Sequence, residues 1–128
     1  MDIKKILVPV DGSPGSAKAV YYAIDFARAL NASVVFLHVV TPMAPALSAD
    51  FIRSTLKECD ALAKKVGVAS EDSIRKGTPW EEIVEEAKQD YDLIVMGSKG
   101  RTGIAHLVLG SVAENVVQHS TIPVTVVR

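Results

Sequence analysis

A glycine-rich segment followed by a glycine–serine pair is the part of the chain best suited to chemistry. An apolar run, residues 93–96, leads into residues 97–100 (Gly-Ser-Lys-Gly), and nine further residues separate these from residues 110–111 (Gly-Ser). Glycine lets backbone approach a ligand where a Cβ would clash, and its tolerance of positive φ can turn consecutive N–H groups toward one point. A helix beginning at Ser111 would bring its positive end to the same place. The spacing therefore predicts a phosphate-binding site.

Composition and charge limit the classes of partner. The 128 residues suit one domain, residues 1–128, and the formal net charge of −1 offers no basic field for nucleic acid. No apolar stretch approaches the roughly 20 residues that span a bilayer, and nothing near Met1 resembles a secretion signal. Cys59, the one cysteine, is expected to be a packing residue. We expect a cytoplasmic protein without nucleic-acid or membrane partners.

Apolar runs of strand length alternate with segments of helical period. The predicted strands are residues 6–10, 33–40, 68–75, 92–96 and 123–127, and the predicted helices begin at residues 14, 48, 78 and 111. The run 33–40 is unbroken, as in strands buried on both faces, whereas the polar run 68–75 suits a sheet edge. Strict alternation predicts a parallel α/β sheet with helices on both faces.

Local signals place the helix ends and the buried faces. Ser13 before Pro14 predicts a capped start for the first helix. Two serine or threonine residues stand three positions before a glutamate, as in capping boxes; the pairs are Thr78 with Glu81 and Ser111 with Glu114. In the second helix, Phe51 falls on the predicted buried stripe.

Asp11 ends the first predicted strand and adds a carboxylate to the candidate site. Ligands of open parallel sheets bind beyond the carboxyl ends of the strands, so Asp11 and the glycine segment would share one crevice if the first and fourth strands are neighbours. Asp11 precedes Gly12 and Ser13, and an Asp-Gly pair also marks turns, so a purely structural role stays open.

Other catalytic and phosphate motifs are missing from the sequence. There is no GxxxxGK[ST], no GxGxxG after a strand, no HExxH and no nucleophile elbow. The three histidines lack metal-ligand spacing and are expected to be structural or exposed; they are His38, His106 and His119. A phosphate-binding site with one carboxylate and no evident base to orient water favours binding and slow hydrolysis over rapid turnover.

Nearly the whole chain resembles the universal stress proteins, in particular their ATP-binding branch. That branch is marked by Gly, two residues, Gly, nine residues, then Gly followed by Ser or Thr; the matching residues are Gly97, Gly100, Gly110 and Ser111. Residues 6–13 and 122–127 resemble the terminal strands of the family. The resemblance implies a Rossmann-like, five-stranded parallel sheet of order 3-2-1-4-5, in which the first and fourth strands are neighbours.

The resemblance also implies roles for individual residues. ATP with Mg²⁺ or Mn²⁺ would be the ligand, and Asp11 would lie near the phosphates and the cation. The other implied contacts are Pro9, Val10 and Val39 with adenine, Met96 and Gly97 with ribose, and Ser98, Gly100, Gly110, Ser111 and Val112 with the phosphates. In the family's strand order the apolar run 124–127 lies at a sheet edge, which predicts a homodimer joined along that edge.

Three classes of function follow. The first is a nucleotide-dependent regulator of the stress response, acting on an unknown protein partner with slow or no ATP hydrolysis. The second is an ATP-consuming enzyme, such as a weak ATPase or a phosphotransferase that modifies its own Ser98 or Ser111. The third is a stress-linked interaction protein that needs no nucleotide, and the glycine pattern argues against it.

Overall fold

The fold is an alternating α/β sheet, and the computed structural model describes residues 2–42, 48–99 and 109–128. The elements are β1 (Lys5–Pro9), α1 (Pro14–Leu30), β2 (Ser33–Val40), α2 (Ala49–Lys65), β3 (Ser70–Lys76), α3 (Pro79–Ala87), β4 (Leu93–Gly97), α4 (Ser111–His119) and β5 (Val124–Val127). The strand order is β3-β2-β1-β4-β5, and every neighbouring pair is parallel. The predicted fold is confirmed, with β1 and β4 side by side.

Two apolar clusters, one on each face of the sheet, form the core. Ile6 and Val8 pack with α1 and α2, and Leu7, between them in sequence, packs with α3 and α4. All three side chains are fully buried. Burial on both faces explains why the central strands are continuously apolar rather than alternating.

The first helix begins as predicted, with Ser13 as its cap. The Ser13 hydroxyl accepts a hydrogen bond from the Ser16 N–H (3.1 Å), so it caps one of the donors that a helix start leaves unpaired. At the other end Asn31 adopts a left-handed conformation with φ 56°, which lets the chain leave the helix. The start of α1 is thereby held at the end of β1, beside Asp11.

Neither predicted capping box forms. Thr78 occupies the cap position of α3, but its side chain makes no capping hydrogen bond, and Pro79 at the first helical position determines the start instead. In α4 the cap residue is Gly110, whose carbonyl accepts the Glu114 N–H (3.0 Å). Ser111 is therefore the first helical residue rather than the cap, because the helix starts one residue earlier than a box would require.

The buried face of α2 also differs from the prediction. Phe51 is 47% exposed, whereas the buried stripe runs through Ile52, Leu56, Cys59 and Ala63. Spacings of four, three and four fit one helical face, and Phe51 is one position out of phase with it. Burial raises the pKa of the Cys59 thiol to about 12, in keeping with the predicted packing role.

Edge strands border the sheet on both sides. The edge strand β3 is largely polar and exposed, as its sequence predicts, whereas β5 is apolar and half-buried along its whole length. In the described ranges, no helix has the length and apolar character needed to cross a bilayer.

Candidate functional site

A cavity of about 240 Å³ lies beyond the carboxyl ends of β1, β2 and β4. Its lining comes from these three strands, from the N-terminal parts of α1, α3 and α4, and from the segments that connect them. The lining residues are Pro9, Val10, Asp11, Ser13, Ser16, Leu37, His38, Val39, Thr41, Pro79, Ile83, Met96, Gly97, Lys99, Gly110, Ser111, Val112 and Ala113. The volume of about 240 Å³ lies just below the range typical of small-molecule sites, roughly 300–1,000 Å³. The crevice expected from the strand order is therefore present.

Nine of the eleven predicted site residues line this cavity: Pro9, Val10, Asp11, Val39, Met96, Gly97, Gly110, Ser111 and Val112. The two others are Ser98, which is buried beside the cavity without lining it, and Gly100, which lies outside the described residues. The glycine segment and Asp11 are thus brought together by the adjacency of β4 and β1.

Gly97 and Gly110 are required by close backbone contacts rather than by unusual torsion angles. Gly110 has φ −73°, and neither of these glycines is among the residues with positive φ. A Cβ on Gly97 would lie 2.8 Å from the backbone of Gly15, and one on Gly110 would lie 3.0 Å from the carbonyl oxygen of Lys99. The expectation that positive φ orients the N–H groups is wrong at these two positions, because each glycine instead makes room for a neighbouring segment.

Ser98 connects β4 to its neighbours through its backbone. Its N–H donates to the Val127 carbonyl (3.1 Å), and its carbonyl accepts the Gly110 N–H. The backbone N–H groups of Ser98 and Gly110 are therefore already paired within the protein, so neither is free to bind a ligand.

The N-terminus of α4 opens onto the cavity. Within this helix the first backbone hydrogen bond is the one that Glu114 donates to Gly110, so helical geometry provides no acceptor for the N–H groups of Ser111, Val112 and Ala113. All three residues line the cavity. Donors without a helical acceptor and the positive end of the helix dipole together favour an anion at this part of the cavity.

Asp11 has both a turn role and a free acceptor. Its Oδ1 accepts the Ser13 N–H (2.9 Å), which forms the turn that the sequence left open as an alternative. In the part of the chain that the structure describes, Oδ2 has no hydrogen-bond or ion-pair partner. The half-buried carboxylate can therefore hold the start of α1 and still offer one oxygen to a ligand.

Several lining residues were not predicted. We did not predict that α3 lines the cavity. From the sequence, Pro79 and Ile83 look like an ordinary helix-start residue and an ordinary core residue. The strand order contained the signal, since the connection from β3 to β4 must pass over β2 and β1 and so carries α3 across the crevice.

His38 is structural, as expected, although it also borders the cavity. Its ring Nδ1 donates to the Val10 carbonyl (2.8 Å), and the side chain is buried. The described residues contain no group of three histidine, cysteine, aspartate or glutamate side chains placed to hold a metal ion. A cation here would need ligand oxygens in addition to Asp11.

Known proteins resemble the chain along its whole length. The sequence model of the Universal stress protein family matches residues 2–128. The universal stress protein MJ0531 of Methanocaldococcus jannaschii is 38% identical, over 98% of this chain and 82% of that protein.

Two solved structures of similar fold contain adenine nucleotides. A universal stress protein in complex with cAMP is 30% identical, with a TM-score of 0.80 over 100% of this chain and 99% of that one. The universal stress protein from Archaeoglobus fulgidus in complex with dAMP is 25% identical, with a TM-score of 0.76 over 100% of both chains. Each of those two proteins binds an adenine nucleotide.

Proposed function

Because the chain belongs to the universal stress protein family, we propose that it binds ATP with Mg²⁺ or Mn²⁺ and acts as a cytoplasmic, nucleotide-dependent regulator of a protein partner in the stress response. The observation that carries the proposal is a cavity that combines apolar side chains with the start of a helix. Leu37, Val39 and Ile83 line it with apolar surface, which suits a base, and the N-terminus of α4 opens onto it, which suits phosphates. The adenine nucleotides bound by the two similar structures support it.

The proposed contacts follow the sequence prediction with the structural adjustments above. Pro9, Val10 and Val39 would meet the base, and Met96 and Gly97 the ribose. For the phosphates we propose, as the main donors, the N–H groups of Ser111 and Val112 in α4, which have no acceptor within the helix. Ser98, Gly100 and Gly110 remain predicted neighbours of the phosphates, with Asp11 at the cation.

Slow hydrolysis is the expected chemistry of such a site. Asp11 is the one carboxylate among the described lining residues, and one of its oxygens is already engaged by Ser13. Efficient phosphoryl transfer needs a group that orients the attacking nucleophile, so we propose that bound ATP acts mainly as a signal.

The experiment that tests this function compares stability with and without nucleotide. Mg-ATP at ten times its Kd should add about 1.4 kcal/mol to the free energy of unfolding, measured by urea unfolding, whereas Mg²⁺ alone should add almost nothing. Chromatography of the small molecules released from freshly purified, unfolded protein shows whether ATP is carried already. No released nucleotide and no stabilisation at millimolar Mg-ATP would contradict the proposal and favour the interaction-protein alternative.

We also propose that β5 joins two copies of the chain. Val124–Val127 is apolar, half-buried and at the sheet edge, and such an edge invites pairing. Pro123 lacks an N–H, so the contact should centre on the strand that follows it. Sedimentation velocity at micromolar concentration should give the mass of a dimer, and a monomer there would contradict this proposal.

A further inference from the structure

Helix α3 forms the side of the cavity where a base would lie. Pro79 and Ile83, one turn apart, both line the cavity. Ile83 is buried in the same apolar cluster as Leu37, and Val39 packs against that cluster. The width of the cavity beside these apolar side chains therefore depends on where α3 sits above β2.

Charged side chains attach α3 to its neighbours in the chain. From β3, the Arg75 guanidinium donates to Glu82 Oε1 through Nε (2.8 Å) and to Glu86 Oε1 through Nη1 (3.0 Å). The Tyr91 hydroxyl, just before β4, donates to Glu86 Oε2 (2.7 Å). One guanidinium thus bridges two successive turns of α3, and the Glu86 side chain is only 9% exposed.

Arg75 keeps its charge and Tyr91 keeps its proton across neutral pH. The hydrogen bond to Glu82 raises the pKa of the Arg75 guanidinium above its usual range, and burial raises the pKa of the Tyr91 hydroxyl. Arg75 therefore remains a cation and Tyr91 remains a donor. Removing the cation would leave Glu86 buried with one hydrogen bond fewer, so α3 would have to move or Glu86 would have to turn toward water.

We propose that Arg75 is a positioning residue of the nucleotide site, which fixes α3 so that Pro79 and Ile83 close the end of the cavity that holds the base. The inference rests on the proposed nucleotide function. Arg75 does not line the cavity, so it acts through the helix and not by touching the ligand. Because the base is common to ATP and AMP, Arg75 affects both nucleotides by the same factor.

Trp80 provides a direct report on the position of α3. It is the one tryptophan of the chain, it lies between Pro79 and Ile83 in sequence, and its ring stacks on His119 of α4 with centroids 4.5 Å apart. A shift of α3 against α4 alters this stacking and hence the fluorescence of Trp80.

The test uses Arg75→Gln, Arg75→Lys and the milder Tyr91→Phe, with Leu62→Ala as a destabilised control in the half-buried face of α2. Titration calorimetry gives the Kd for ATP and for AMP, under conditions where circular dichroism shows each variant folded. Arg75→Gln should raise the Kd for both nucleotides about tenfold and change the fluorescence emission of Trp80. Arg75→Lys should raise both Kd values less, since lysine keeps the positive charge but lacks the planar guanidinium that reaches two carboxylates at once. Tyr91→Phe should have the smallest effect in the same direction.

The control separates positioning from general destabilisation. Leu62→Ala should lower the unfolding midpoint and leave the Kd and the Trp80 emission unchanged. Wild-type affinity in Arg75→Gln and Tyr91→Phe, with unchanged emission, would overturn the inference and leave the proposed function intact. Weaker binding of ATP with unchanged binding of AMP would also overturn the inference, because the effect would then lie at the phosphates and not at the base. Failure of the wild-type chain to bind either nucleotide would remove the proposed function and this inference with it.

Discussion

Gly97→Ala is expected to lower the free energy of unfolding by about 3 kcal/mol, at the upper end of the usual cost of overpacking. The new Cβ would lie 2.8 Å from the carbonyl carbon and oxygen of Gly15 and 3.2 Å from the amide nitrogen of Ser16. These are backbone atoms of the first turn of α1, so no side-chain rotation can relieve the contact. Either α1 moves away from β4, or the end of β4 shifts in the sheet. Urea unfolding followed by circular dichroism measures the loss.

Gly15→Ala is the matched control, since it changes the other partner of the same contact. A Cβ there has Ser13 Oγ as its nearest neighbour, at an ordinary 3.8 Å. Alanine favours helices over glycine by up to about 1 kcal/mol, so this variant should be as stable as the wild-type chain or slightly more stable. Equal stability of Gly97→Ala and the wild-type chain would show that the approach of α1 to β4 does not require glycine.

The stability effect changes how the glycine pattern is interpreted. Gly97 and Gly110 line the cavity, but each also stands where a Cβ would strike backbone. The pattern is therefore a constraint of the fold as well as of the site. Loss of binding in a Gly97 variant would not by itself reveal a ligand contact, because the fold would change too.

The alternation of elements was predictable because the burial of each strand is local. The bounds predicted for β2 and the start predicted for α4 are those observed, and the edge strand β3 was identified from its polar residues. Strand order was not predictable from periodicity, because pairing joins residues far apart in sequence, such as Ile6 with Leu93. It came instead from the resemblance to a family of known fold.

The errors were errors of phase and of tertiary position. Phe51 was assigned to the buried stripe, but the stripe of α2 begins one residue later, at Ile52. Ser111 was taken as a possible cap, whereas Gly110 caps α4 without a side chain. The role of α3 in the cavity was missed because it depends on the path of a connection across the sheet. A shift of one residue or the path of one crossover changes side-chain contacts without changing the pattern of elements.

Asp11→Asn is expected to weaken the binding of Mg-ATP about hundredfold, which corresponds to about 2.7 kcal/mol. A carboxylate is a hard oxygen ligand suited to Mg²⁺, and its charge attracts the cation that neutralises the phosphates. Asparagine keeps an oxygen that can accept the Ser13 N–H, so the turn at the start of α1 should survive and the free energy of unfolding should change little. Titration calorimetry with Mg-ATP measures the loss.

Two comparisons separate the charge of Asp11 from its turn. Asp11→Ala removes both, so it should lose Mg-ATP binding and also lose about 1 kcal/mol of stability, the usual value of a net hydrogen bond. AMP without a divalent cation should bind the asparagine variant at least as well as the wild-type chain, because the exchange removes a negative charge near the phosphate and no metal contact is at stake. Weak binding of both ligands by Asp11→Asn would mean that the exchange disturbs the cavity itself. Wild-type affinity of Asp11→Asn for Mg-ATP would mean that Asp11 serves only to form the turn. The cation would then be coordinated by phosphate oxygens and water.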